Sequence, residues 1–210
     1  ALRYSTSGDH IAIVSDKKIY ITSSLDFQTR AVVSNHNSAV THFDFSADSK
    51  HLRTNTAQNE LKFFNSSDGK EIKSASSLKD CEWSSTTCPL VWSTQGLHGV
   101  TSSSERRKVT CVDRFETLLA SGDESGEIRL HRFPCVNDKA ESICLLGHGS
   151  EVSSLKFSSD GTMLYSVGAR DRVICQWCVS GVNTSSQSES SSKEEDFSSS
   201  KEADMPIGVG

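Results

Sequence analysis

Apolar residues along this chain alternate with polar ones in short runs. Three segments share one layout: AVTHFDFSADSKHLRTNT (39–56), KVTCVDRFETLLASGD (108–123) and EVSSLKFSSDGTMLYSVG (151–168). Each begins with a short run whose apolar side chains recur at about every second position, passes through a polar turn, and starts a second such run. A period of two is that of a strand with one face buried. The opening LRYSTSGDHIAIVSDKKIYIT repeats the layout. A further alternating run follows each unit, at 17–22, 60–65, 127–133 and 172–177, and predicts a third strand. The units return at about 40 residues, with one interval stretched between Asn65 and Lys108. A helical solenoid would need a 3.6-residue period, which is absent, and a sandwich would not return the same cues. The pattern predicts an all-β chain built as a β-propeller with about four blades present, hence a partial ring.

The same cues set approximate bounds. Blade one covers about 1–35, blade two 36–76, blade three 105–146 and blade four 147–181. Between them an insertion of about 77–104 holds two of the three tryptophans, Trp83 and Trp92. Its start is expected to supply the fourth strand of blade two, and its remainder a small strand pair or a loop over a blade edge. Residues 182–210 are expected to be a disordered tail, rich in serine and acids and poor in apolar residues. Phosphorylation of its serines would deepen its negative charge.

Composition narrows the function. The 210 residues carry a net charge of −5. The tail, with six acids against two lysines, accounts for most of it, so residues 1–181 are nearly neutral. A neutral body offers no field for DNA or RNA, and no apolar run is long enough to span a membrane. The chain opens ALRYSTSGDH, without a leader, and is expected to be a trimmed piece. Its seven cysteines, odd in number and irregularly spaced, suggest reduced thiols in the cytoplasm.

Candidate chemistry concentrates in the last unit. Gly147-His148 precedes its first strand, Ser166 sits in its second, Asp171 opens the next turn and Trp177 closes its third. This resembles a WD-repeat blade, in which His, Ser, Asp and Trp form a buried hydrogen-bond chain that anchors the turns. Cys178 stands where the name-giving Asp would follow Trp177. Blade two keeps His36, with Gln58 and Phe64 at the Asp and Trp places, and blade three has Ser125 and His131 there. A Ser-His-Asp set drawn from these residues would mimic a catalytic triad, but no nucleophile elbow, zinc-protease helix or phosphate loop accompanies it. Cys175 and Cys178 form a C-x-x-C on a strand rather than at a helix start, and no second pair has zinc spacing. Asp123, Glu124 and Glu127 flank Gly126 without the spacing of a calcium loop. The expectation is no enzyme, no cofactor and no metal.

Two motifs point to a family. LKDCEWSSTTCPLVWSTQGLHG carries Asp80, Trp83, Thr87, Cys88, Leu90, Trp92 and Gly96, and LLASGDESGEIRLHRFPC carries Ala120, Gly122, Asp123, Gly126, Ile128, Leu130, Phe133, Pro134 and Cys135. In this pairing and order the chain resembles the echinoderm microtubule-associated protein-like family, over roughly residues 1–180. His98-Gly99 stands where that family usually has Trp-Pro. The resemblance implies the later blades of a second WD-repeat propeller, with upstream blades of the same protein as neighbours. It also implies association with tubulin, microtubules or a microtubule-bound partner in the cytoplasm and cytoskeleton. The alternative is a general WD-repeat scaffold with no cytoskeletal role. Candidate partner contacts are Arg106, Arg107 and Lys108, in the one concentrated basic run, and Arg170 and Arg172 on a turn of the last blade, where a rigid scaffold presents binding loops.

Overall fold

The computed structural model describes residues 1–98 and 108–180. The tail expected at 182–210, and Arg106 and Arg107, lie outside the described residues. Within them the chain forms four antiparallel meanders in which consecutive strands are neighbours. The first sheet holds β1 (Leu2–Tyr4), β2 (His10–Ser15), β3 (Lys18–Ser23) and β4 (Thr29–Val33). The second holds β5 (Val40–Phe45), β6 (His51–Thr56) and β7 (Leu61–Asn65). The third holds β8 (Val109–Phe115), β9 (Leu118–Asp123), β10 (Glu127–Arg132) and β11 (Ile143–Leu146), and the fourth β12 (Val152–Phe157), β13 (Met163–Gly168) and β14 (Ile174–Cys178). This is the all-β partial propeller that the alternation predicts.

The repeat extends to details that strict alternation does not contain. In β5, β8 and β12 the ladder slips at the same place, between Val40 and His42, Val109 and Cys111, and Val152 and Ser154. The extra residue of each bulge reverses the parity of the strand. Val152, Leu155 and Phe157 are therefore all buried although the first two are three apart. Turn chemistry repeats as well. Ser46 Oγ donates to Asp48, whose carboxylate accepts the Lys50 N–H, while Ser46 Oγ accepts the His51 N–H. Ser158, Asp160, Thr162 and Met163 do the same in the fourth sheet. Side-chain oxygens that satisfy their own turn are what Ser and Asp contribute there.

Burial joins the sheets in pairs. Ile19, Ile21 and Val33 of the first sheet pack with Phe43, Phe45, Leu52 and Phe64 of the second. Cys111, Ala120 and Ile128 of the third pack with Val152, Leu155, Phe157 and Leu164 of the fourth. Each large side chain so buried contributes about 1.5–3 kcal/mol.

The insertion departs from its expected form. Its described part gives the second sheet no fourth strand. That sheet has three strands, and beyond β7 only an isolated bridge, Phe64 to Glu71, continues it. Nor is there a strand pair in its described part. Two 3₁₀ turns, Ala75–Leu78 and Trp92–His98, flank an extended stretch that bridges Ser46 through Trp83. The reason is polar: this stretch spends the N–H groups of Thr87, Cys88 and Leu90 on side chains of the second sheet rather than on a ladder of its own.

A candidate protein-interaction site around the insertion

The centre of that arrangement is Asp44, fully buried on β5. Its carboxylate accepts Arg53 Nε at 3.0 Å from β6 and Arg3 Nη1 at 2.8 Å from β1. From the insertion it accepts Ser85 Oγ at 2.6 Å, the N–H and hydroxyl of Thr87, and the Cys88 N–H at 3.2 Å. Burial by itself would raise this carboxyl. The Arg53 charge, the Ser85 hydroxyl and Arg3 outweigh it and hold the pKa below its ordinary value. One residue thus ties the first sheet, the second sheet and the insertion together. Asn55 adds a second staple, accepting the Leu90 N–H at 2.8 Å and donating to the Leu90 carbonyl at 3.2 Å.

A counterpart exists between the third and fourth sheets. Asp113 accepts Phe157 N–H at 2.8 Å and Lys156 Nζ at 2.5 Å. Asp44, Asp113 and Lys156 occupy the same column of the aligned segments, each four residues after the valine that opens its strand. Both carboxylates reach 43 and 44 residues ahead. The insertion therefore takes, toward the second sheet, the sequence register that the fourth sheet's first strand takes toward the third.

Its second half belongs to the third sheet. Leu97 packs with Val109, Val112, Leu119 and Cys135. Gly96 N–H donates to the Cys135 carbonyl and Cys135 N–H to the Ser93 carbonyl, both at 2.9 Å. The two motifs that carry the family resemblance, separate in sequence, are thus sewn together by backbone. Gly96 is required by that closeness, since a Cβ there would run into the Asn137 backbone. Of the other motif residues, Trp83 lies under the Arg53 guanidinium at 4.6 Å, and Cys88 is fully buried. Gly122 abuts Val152, and Gly126, at φ +92°, turns against the His148 carbonyl. Asp123 accepts the N–H and hydroxyl of Ser125 and the Glu127 N–H, so its carboxylate serves its own turn.

The residues singled out in the fourth sheet meet directly. His148 Nδ1 lies 2.9 Å from Asp171, His148 Nε2 lies 2.8 Å from Ser166 Oγ, and Trp177 Nε1 donates to that same oxygen at 2.9 Å. With Nδ1–H given to Asp171, Nε2 accepts the Ser166 hydroxyl, and each donor has an acceptor. The Val173 N–H, with smaller contributions from His148 and Gly149, holds the Asp171 carboxyl below its ordinary value. In the second sheet His36 Nε2 instead meets Thr54 Oγ1 at 3.0 Å, its Nδ1 meets the Lys17 carbonyl, and its ring leans on Phe64. In the third, His131 Nδ1 lies 3.7 Å from Cys135 Sγ.

Of the candidate contacts, Lys108 pairs with Glu124 at 3.4 Å, and Arg170 and Arg172 are exposed on the turn after β13. Burial raises the thiol of Cys88 well above its ordinary value and that of Cys111 to about 11, so neither is a ready nucleophile. Between the second sheet, the insertion and the third sheet opens a cavity of about 750 Å³, with Phe63, Trp83, Trp92 and Phe133 in its wall. Sequence reasoning did not find Asp44, Arg53, Thr54 or this cavity.

Comparison with known proteins agrees with this architecture. The family model described as the echinoderm microtubule-associated protein second beta-propeller matches residues 1–179. The 77 kDa echinoderm microtubule-associated protein of Strongylocentrotus purpuratus is 36% identical over 85% of the chain, which covers 27% of that protein. Echinoderm microtubule-associated protein-like 1 of Homo sapiens is 32% identical over 85% of the chain and 22% of its own length. The chain thus spans about a quarter of the relatives it matches. Among solved structures, the computationally designed Ika8 protein aligns with a TM-score of 0.57 at 17% identity, over 85% of this chain and 57% of that one, a likeness of fold. The chain belongs to the echinoderm microtubule-associated protein family, as part of its second β-propeller.

Proposed function

We propose that this chain is a non-catalytic scaffold that binds tubulin, microtubules or a microtubule-bound partner, within the cytoplasmic cytoskeleton. Family membership carries the reading, since the relatives are named for microtubule association. The site chemistry supports the non-catalytic part. Ser166, the hydroxyl nearest a histidine and an acid, is fully buried and already accepts the Trp177 N–H, so no substrate reaches it. The polar residues act as anchors, and the rigid sheets present loops. Arg106, Arg107, Lys108, Arg170 and Arg172 are proposed as contacts for an acidic surface. Further blades of the same protein are proposed to cover apolar side chains left exposed on the first and fourth sheets, such as Leu2, Tyr4 and Ile174.

Co-sedimentation with microtubules, for this chain and the full-length protein at low and moderate salt, tests the reading. Pelleting of both, weakened by salt and by Arg170→Glu with Arg172→Glu, is the expected result. Pelleting of the full-length protein alone assigns the contact to another part of it. If neither pellets, the general-scaffold alternative replaces this one.

A further inference from the structure

The cavity between the second sheet, the insertion and the third sheet is left open beside the joints that connect them. The joints are made by Asp44, Asn55 and the Gly96–Cys135 backbone bonds beside it. Its volume of about 750 Å³ lies in the range of sites that hold a peptide side chain or small ligand. Aromatic rings line it, and Trp92 is 66% exposed. A large exposed aromatic beside other apolar side chains marks an interaction surface.

Charge indicates what would enter. Arg53 is paired with Asp44, which also holds Arg3. Two other cations in the wall, Arg114 on β8 and Lys79 on the insertion, have no carboxylate partner among the described residues, against one acid, Glu82. The Arg114 guanidinium lies 4.0 Å from the centre of the Phe133 ring and its Nε donates to the Glu116 carbonyl, contacts that hold it at the wall without a carboxylate. Apolar depth with cations at its wall fits an apolar side chain flanked by carboxylates.

We propose that this cavity is a docking site for an acidic peptide segment of a partner protein, anchored by a single aromatic or large aliphatic side chain. The proposal is independent of whether the chain meets a microtubule. A concave cavity with an acid in its wall favours a peptide over single-stranded nucleic acid, which needs a continuously basic track.

The test is fluorescence anisotropy with the whole 210-residue chain. The probe is a labelled, end-capped peptide of one phenylalanine with three glutamates on either side. Three competitors are needed: the same peptide with lysines for glutamates, the same with alanine for phenylalanine, and a ten-nucleotide oligothymidine. The acidic phenylalanine peptide is expected to bind, with both altered peptides at least about tenfold weaker. Arg114→Glu and Trp92→Ala, both at exposed positions, each weaken it about tenfold with unchanged melting, while Arg170→Glu leaves it unaltered. The proposal is overturned by no binding up to about 1 mM, by equal binding of the lysine peptide, by retention in both cavity variants, or by preference for the oligonucleotide.

Discussion

Asp44 and Asp113 stand at the same place in their strands and reach the same distance along the chain, yet they close two different kinds of joint. Asp113 holds one backbone N–H and one lysine, Lys156, whose side chain is 67% exposed. Asp44 holds two arginines, two hydroxyls and two backbone N–H groups, and one of the arginines, Arg53, is nearly as buried as the carboxylate itself. An ion pair with one end in water is worth little, whereas breaking a buried one leaves a charge uncompensated. The insertion is therefore secured more firmly to the second sheet than the fourth sheet is to the third by the equivalent residue, although it forms no strand in doing so.

The comparison is most sharply broken or upheld by replacing each carboxylate. Asp44→Asn, which strands Arg53, is expected to lower unfolding stability by about 3–5 kcal/mol, and Asp113→Asn by about 1 kcal/mol, both read from urea midpoints. Equal losses would mean that the two joints do not differ. The pH dependence has a definite sign. A carboxyl whose folded pKa is depressed stabilises fully above its unfolded value of about 4 and progressively less as the pH falls through the folded value. Wild-type stability should thus fall below about pH 4, and Asp44→Asn should flatten that fall. A residual slope should persist from Asp48 and Asp160, which their own turns also depress.

Next in size is the seam between insertion and third sheet. Gly96→Ala, which pushes against the Asn137 backbone, is expected to cost about 1–3 kcal/mol in the same assay. Gly149→Ala, with nothing within 4 Å, should stay within about 0.5 kcal/mol of wild type. Within the sheets, Ser166→Ala, which strands both the His148 and Trp177 partners, should cost about 2 kcal/mol, and Thr54→Ala, which releases the His36 ring nitrogen, about half that. The smallest signal is chemical. Cys88 sits in the Asp44 joint and Cys111, 3.5 Å from the Val152 carbonyl, in the Asp113 joint. Under mild denaturant a thiol reagent followed by mass spectrometry should modify Cys111 before Cys88, with exposed Cys178 modified throughout.

Much of the architecture was legible because the repeat is carried by apolar spacing and turn residues. The four histidine–hydroxyl–acid–tryptophan residues of the fourth sheet could be named because all four types survive there. The second sheet's version was only half legible. His36 stood out, but Thr54 replaces the serine, Phe64 offers a ring without an N–H, and the Lys17 carbonyl accepts where an acid would. Backbone substitutes leave no mark in a sequence. Asp44 was visible in the same column as Asp113, but its importance arises from residues 41 to 44 positions away. The insertion misled because strand-like composition does not say whether its N–H groups will meet a ladder or a side chain.

The constant reach of these carboxylates bears on how the molecule assembles. Each joint closes a loop of the same length, so the entropy lost on closure is nearly the same at every one. The order of closing is then set by what waits at the end of the loop. Adding sheets adds equal steps between neighbours rather than longer searches, so average contact separation does not grow with the number of blades. Folding of such a chain is a sequence of local closures, and the Asp44 joint, with the most partners waiting, is where it has most to gain by starting.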